Sequence, residues 1–326
     1  MNTATLQSVT ALVRPSLEEF ERYVRRVLRT PVPLLNLVLW YLFRRRGKRV
    51  RPALTFLSAA ACGQITHRTF VGAAMVELLH TATLVHDDVV DRARERRGFP
   101  SVNALWSERI AVLVGDYLLA RGLLLATQER EWEFLDITAG AVQQMSSAEL
   151  RHVQLNRKLR LEREQYLEVI RGKTAALFAA ACEIGAVSTD AEPVLRAALR
   201  RYGEDIGIAY QLVDDVLDYT GRQQLLGKPA WQDLREHKLT LPLLIALERM
   251  GPAERSEFLR RFRRQHNGAN LRWMAQQVLR WGGVEATQEL ARHYGQRAQR
   301  ALEELPPSPA RSALQEFAEF VLQRLW

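Results

Sequence analysis

Two short acidic runs, Asp87-Asp88-Val89-Val90-Asp91 and Asp214-Asp215-Val216-Leu217-Asp218, both read D-D-x-x-D. On a helix, residues four apart share a face at about 5 to 6 Å, so Asp87 would converge with Asp91, and Asp214 with Asp218. Like charges at that spacing disfavour the helix unless a cation binds. One such run could be an ordinary solvated acidic face. Both, however, follow apolar sequence, Leu84-Val85-His86 and Gln211-Leu212-Val213, where unpaired carboxylates would carry a desolvation cost that bound metal relieves. Mg²⁺ suits them best: it prefers hard oxygen ligands, keeps waters and commonly bridges one or two carboxylates to substrate phosphates. His80, His86 and His152 have no convincing zinc-site spacing with cysteines.

Basic groups accompany the acidic ones. Gly47-Lys48-Arg49-Val50-Arg51-Pro52 precedes the first run, and Arg96-Arg97-Gly98 follows it. Further candidates are Lys173-Thr174, Lys228 in Leu226-Gly227-Lys228-Pro229, and Lys238 in His237-Lys238-Leu239-Thr240-Leu241-Pro242. Metal-bearing carboxylates together with fixed guanidinium groups are complementary to a diphosphate.

The elements that must position these residues are helices. Apolar residues recur at helical spacing almost everywhere, without convincing strand-like alternation, so the fold class is all-α. The periodicity predicts helices at about Leu17 to Arg29, Pro33 to Arg45, Pro52 to Cys62, Arg68 to Arg92, Glu108 to Thr127, Trp132 to Leu155 and Arg163 to Val187. It predicts others at about Glu192 to Thr220, Leu239 to Arg249, Pro252 to Arg264, Asn270 to Trp281, Gly283 to Glu304 and Pro309 to Gln323. Arg46-Gly47-Lys48, Gly98-Phe99-Pro100-Ser101, Ser188-Thr189-Asp190 and Pro306-Pro307-Ser308 separate them with turn or helix-start residues. The simplest architecture is one large helical bundle over residues 1–326, with long helices lining a central space.

Composition agrees with a globular chain: of 326 residues, 47% are hydrophobic, enough for a packed core, and 25% are charged. Met1 to Phe20 lacks the pattern of a signal peptide, and Asp116, Arg121 and Glu183 interrupt the most apolar stretches, Ile110 to Thr127 and Thr174 to Val187. The expectation is a cytoplasmic protein with no transmembrane segment. Cys62 and Cys182 fit reduced, buried thiols and exclude a disulfide framework. The net charge of +9 admits nucleic acid, a membrane surface or a phosphorylated small molecule as partner.

In order, GKRVRP, ELLHTATLVHDDVVD, RRG, GDYLLA, KTAALF, YQLVDDVLD, LGKP and KLTLPLL resemble the motifs of the trans-isoprenyl diphosphate synthase (polyprenyl synthetase) family over nearly the whole chain. The resemblance is strongest to the medium- and long-chain all-trans synthases of heptaprenyl or octaprenyl type. It implies an isoprenoid-synthase helical bundle, usually a homodimer, that condenses isopentenyl diphosphate with an allylic diphosphate. Asp87, Asp91 and Asp214 would then bind three Mg²⁺ ions, supported directly or through water by Asp88, Asp215 and Asp218. Arg96, Lys173, Lys238 and Lys228 would contact the allylic diphosphate; Lys48, Arg51, His80 and Arg97 would hold isopentenyl diphosphate; Thr174 and Gln211 would face the reacting carbons. Ala82 and Thr83, the fifth and fourth residues before Asp87, are not aromatic, which implies a product beyond C20, with Leu79, Val76 and Met75 as a possible floor and a farnesyl or geranylgeranyl diphosphate synthase of shorter product as the alternative. Plain core packing would also explain those residues.

Two segments depart from the family pattern. Ala148 and His152 replace the usual Gly and Gln, and His237 replaces a Gly before Lys238. A nucleic-acid partner would leave both aspartate runs unexplained and set acidic clefts against a polyanion, so none is expected. A terpene cyclase would carry Asn, Ser and Glu in its second motif. A non-catalytic subunit of a heteromeric synthase tends to lose one cluster.

Overall fold

The computed structural model describes residues 3–44, 49–96, 98–158, 162–220, 231–264 and 267–324. The chain begins with α1 (Thr3–Val9), a helix absent from the sequence expectation, and a 3-10 turn, Ala11–Val13. There follow α2 (Arg14–Val27), α3 (Pro33–Phe43), α4 (Val50–Cys62), α5 (His67–Val90), α6 (Val102–Leu105), α7 (Glu108–Gln128), α8 (Trp132–Lys158), α9 (Arg163–Ile170), α10 (Ala176–Val187) and α11 (Pro193–Thr220). The last third consists of shorter helices, Gln232–Arg235, Leu241–Arg249, Pro252–Phe262, Gly268–Arg280, Gly283–Ala301 and Pro309–Gln323.

Helix α10 occupies the centre. Every residue from Ala176 to Val187 is buried, as expected of a helix apolar on all sides. Its small side chains let α4, α8 and α11 pack against it. A Cβ on Gly185 would lie 2.4 Å from the Thr55 carbonyl oxygen and 2.6 Å from Ser58 Cβ, so α4 and α10 cross closer than any side chain permits. Gly185→Val should therefore destabilise the fold by roughly 3 kcal/mol through overpacking. A urea midpoint equal to that of the wild type would show that the crossing can open without cost.

Two corrections to the sequence reading bear on the site. The stretch from Arg163 to Val187 is not one helix: a π-helical turn, Arg171–Ala175, separates α9 from α10. Its wider turn re-aims Lys173 and Thr174, and it presses on α8, where a Cβ on Gly172 would strike Ala148 Cβ at 2.6 Å. Likewise the Gly98-Phe99-Pro100 separator belongs to a small antiparallel ladder in which Glu95 faces Pro100 and Arg96 faces Phe99. That ladder holds Arg96 in place. Smaller differences lie at helix ends: α5 stops at Val90, the helix expected from Leu239 starts at Leu241, and the one expected to reach Glu304 tightens into a 3-10 turn at Leu302–Glu304.

Helices α5 and α7 are long and apolar enough to cross a bilayer by length and composition. Helix α5 is surrounded by α4, α7, α8 and α10. Helix α7 packs one face on α5 and leaves Val112, Leu113, Leu123 and Leu124 exposed on the other. Both cysteines are free, with burial pushing the Cys62 thiol up to about 11 and that of Cys182 up to about 12.

Candidate active site

The first aspartate run forms the last turn of α5. Asp88 is buried, and its Oδ1 accepts from Arg96 Nε at 2.7 Å. Asn103 Nδ2 donates to the carbonyl oxygens of Asp88 at 3.2 Å and Ala93 at 3.0 Å, tying α6 to the end of α5. Burial raises the Asp87 carboxyl above its ordinary range; Lys173 pulls it down, while Glu149 and Asp91 push it further up. A bound cation would offset that desolvation cost.

The second run ends α11, and its three carboxylates have different partners. Asp214 Oδ1 lies 2.5 Å from Nη2 of the buried Arg324, whose guanidinium also stacks 4.8 Å from the centre of the Tyr210 ring. Asp215 is buried and accepts from the Tyr166 hydroxyl and, at 3.0 Å, from Gln211 Nε2. Burial pushes its carboxyl up to about 7 against the pull of those two donors. Asp218 accepts the backbone N–H groups of Gln232 at 2.9 Å and Asp233 at 3.1 Å, one on each oxygen. It therefore anchors the helix that leads to Lys238.

The amide of Gln211 is committed at both ends, because Thr174 Oγ1 also donates to its Oε1 at 2.9 Å. Lys173 is ion-paired with Glu149 of α8, and Lys238 with Glu236 at 2.6 Å. Burial lowers the Lys238 pKa, but Glu236, Asp233 and Asp91 outweigh it and raise the net value. Since Lys238 feels Asp91, the segment after α11 and the end of α5 converge on one region.

A cavity of about 330 Å³ opens beside the first run, lined by Arg51, His80, Asp88, Arg96, Phe178 and Tyr210 among others. Arg51 Nη1 is 2.8 Å from His80 Nε2, and its guanidinium lies 4.8 Å from the Phe178 ring centre. Thus Arg51, His80, Asp88 and Arg96 share one space, with Tyr210 contributed by the helix of the second run. Lys48, Arg97 and Lys228 lie outside the described residues. Ala82, Thr83 and Leu79 do not line this cavity. Ala82 and Leu79 are buried, and Thr83 Oγ1 donates to the His80 carbonyl at 2.9 Å. Leu79 instead packs toward Gly122 and His86 toward Gly115, so this side of α5 faces α7.

Sequence reasoning missed Arg324, Tyr166, Glu149 and Asn103. Each meets the site through tertiary contact rather than a local motif, and the Arg324–Asp214 pair spans 110 positions. Of the departing residues, Ala148 fits because Gly172 opposite has no side chain. His152 is half-buried; burial and the charges of Lys173 and Lys238 lower its pKa. His237 adopts φ 56° and sets its ring against Phe262, 5.4 Å between centroids.

Among the described residues, no three His, Cys, Asp or Glu side chains are grouped so as to hold an ion on their own. The donors nevertheless fit Mg²⁺, which takes one or two carboxylates and completes its shell with water and substrate phosphate.

The fold and site define an all-helical prenyltransferase of the isoprenoid-synthase type. The chain belongs to the polyprenyl synthetase family, whose model matches residues 32–278. It is 35% identical to the all-trans-nonaprenyl-diphosphate synthase (geranyl-diphosphate specific) of Rhodobacter capsulatus, over 98% of this chain and 98% of that one. It is 31% identical to heptaprenyl diphosphate synthase component 2 of Bacillus subtilis, over 99% of this chain and 92% of that one. Among solved structures, the polyprenyl synthase of Caulobacter crescentus complexed with calcium and isoprenyl diphosphate superposes with a TM-score of 0.91 at 38% identity, covering 97% of each chain.

Proposed function

We propose that this chain is a Mg²⁺-dependent all-trans polyprenyl diphosphate synthase that joins isopentenyl diphosphate to an allylic diphosphate and extends the product beyond C20. The observation that carries this reading is the pairing of two aspartate-tipped helices, α5 and α11, with a cavity holding Arg51, His80 and Arg96.

Asp87, Asp91 and Asp214 would hold three Mg²⁺ ions, which, when bound, neutralise charge developing on the departing diphosphate. Asp88, Asp215 and Asp218 support them: Asp88 orients Arg96, Asp215 orients Gln211, and Asp218 fixes the approach to Lys238. Arg96, Lys173, Lys238 and Lys228 bind the allylic diphosphate. Three of these already sit in ion pairs, with Asp88, Glu149 and Glu236, so their charges are pre-positioned before substrate arrives. Lys48, Arg51, His80 and Arg97 hold isopentenyl diphosphate.

The allylic C–O bond breaks and diphosphate leaves with the electron pair. The double bond of isopentenyl diphosphate then attacks the allylic cation, and a proton leaves the new cation for the released diphosphate. Thr174 and Gln211, locked by Asp215 and Tyr166, face the reacting carbons. Phe178, Leu84 and Val102 keep the cavity wall apolar and deny water access to the cation.

Incubation with Mg²⁺, labelled isopentenyl diphosphate and C5, C10, C15 or C20 primers should give a ladder ending at one length beyond C20. No incorporation from any primer by folded protein would refute the reading for the isolated chain. The similarity to a synthase component 2 favours a second reading, a catalytic subunit that needs a partner. Our reading is a homodimer working in the cytoplasm, where its two free thiols stay reduced. The exposed apolar stripe of α7 supports the dimer. Gel filtration should give twice the mass of the chain; a monomer active at full rate would contradict it.

A further inference from the structure

Helix α3, with the sequence PLLNLVLWYLF, is apolar on nearly every side. Its one amide side chain, Asn36, is used locally: Oδ1 accepts from the Thr30 N–H at 3.2 Å, and Nδ2 donates to the Thr30 carbonyl at 2.6 Å. A helix of that composition is ordinarily covered all round. Here only Val38 and Leu39 are buried, while Leu34, Leu37 and Trp40 are 47%, 50% and 56% exposed. Leu37, Trp40 and Arg44 follow one another at helical spacing along the outer face. The Arg44 guanidinium lies 4.5 Å from the Trp40 ring centre, so the apolar stripe ends in a cation.

In sequence, basic residues flank this helix on both sides. From Arg22 to Arg51 the sequence holds ten Lys and Arg residues and no Asp or Glu; of these, Arg49 and Arg51 line the cavity rather than the outer surface. Arg22, Arg25, Arg26, Arg29 and Arg44 are exposed.

We propose that the outer face of α3 docks the protein on an anionic lipid bilayer. Leu34, Leu37 and Trp40 enter the boundary between acyl chains and headgroups, while Arg44 meets lipid phosphate. Tryptophan beside arginine on an apolar helix face suits that boundary, where an amphipathic ring and a snorkelling cation are both satisfied. Attraction to an anionic leaflet falls off within a Debye length, so docking weakens with salt. A second copy of this chain fits the face less well. A two-fold contact sets a patch against itself, and would bring the Arg44 cation that ends the stripe toward the same patch of the second copy. The α7 face carries both signs, since Asp116 and Arg109 are both exposed there. Docking also delivers the apolar tail of the product beside the phase that dissolves it; this clause rests on the proposed function, whereas the docking rests on α3.

The test is flotation of the full chain with phosphatidylglycerol/phosphatidylcholine vesicles and with phosphatidylcholine alone. The wild type should partition onto the anionic vesicles about tenfold more than onto the neutral ones, and less as salt rises. The Leu37→Ser/Trp40→Ser variant should lose about tenfold in binding, with its turnover of a soluble short primer unchanged. Wild-type protein that stays with the unbound fraction, or a double variant that floats like wild type, overturns the proposal. So does a fall in sedimentation mass for the double variant when neither protein floats, which makes the face a contact between copies. Turnover is read separately: vesicle binding by a wild type that condenses nothing would refute the proposed reaction and leave the docking intact.

Discussion

Asp87→Ala and Asp214→Ala should each lower single-turnover condensation by about a thousandfold or more. These carboxylates act on charge that develops as the allylic bond breaks, so their removal raises the barrier more than it weakens ground-state binding. Their effects on stability differ. In the metal-free protein the Asp87 carboxyl is raised, chiefly by burial. A raised carboxyl contributes stability below its unfolded pKa and loses it as pH rises through the folded value, so at neutral pH ionised Asp87 costs stability. Asp87→Ala should therefore melt no lower than wild type at neutral pH. Asp214→Ala leaves the buried Arg324 without its carboxylate and should cost about 3 kcal/mol. Asp214→Asn, which keeps an acceptor for Arg324, separates the two effects: it should lose the same turnover with a smaller loss of stability. Near-normal rates in Asp87→Ala or Asp214→Asn would remove that aspartate from the metal site.

Ala82→Phe should shorten the product by one or more isoprene units while leaving the first condensation intact. Ala82 is fully buried on α5, one helical turn before the first aspartates, and Leu79 on the same helix reaches toward Gly122 of α7. A phenyl ring there has two outcomes. It can enter space that a growing tail would otherwise use, or it can force α5 away from its neighbours at a cost of about 1 to 3 kcal/mol. Product analysis together with melting temperature separates them: a shorter ladder from a protein of near-normal stability supports the tail path. An unchanged product distribution would put the floor elsewhere. Leu79→Ala has the opposite sign and should lengthen the ladder if that side chain forms the floor.

The helix pattern, the two aspartate runs and their cationic company were legible in the chain because each is a short-range feature. A turn of helix sets which residues share a face, and two carboxylates four apart converge whatever surrounds them. Arg51 and His80 illustrate the next step: the resemblance paired their roles, and folding brings their nitrogens to 2.8 Å across 29 positions. The π-helical turn at Arg171–Ala175 was not legible. Its residues have ordinary helix patterning, and the wider turn accompanies the close approach of Gly172 to α8 and of Gly207 to Ala175.

By itself the sequence determined an all-helical chain with two metal-suited carboxylate turns, since periodicity and spacing act within a few residues. Only the tertiary structure decided which partner each carboxylate has. Asp88 faces Arg96, Asp214 faces Arg324, Asp215 faces Tyr166 and Gln211, and Asp218 holds two backbone amides, although the two runs read alike. Those distinctions come from helices far apart in sequence packing against one another. The same packing decided that α3, apolar inside and out, would keep one face covered and leave the other open.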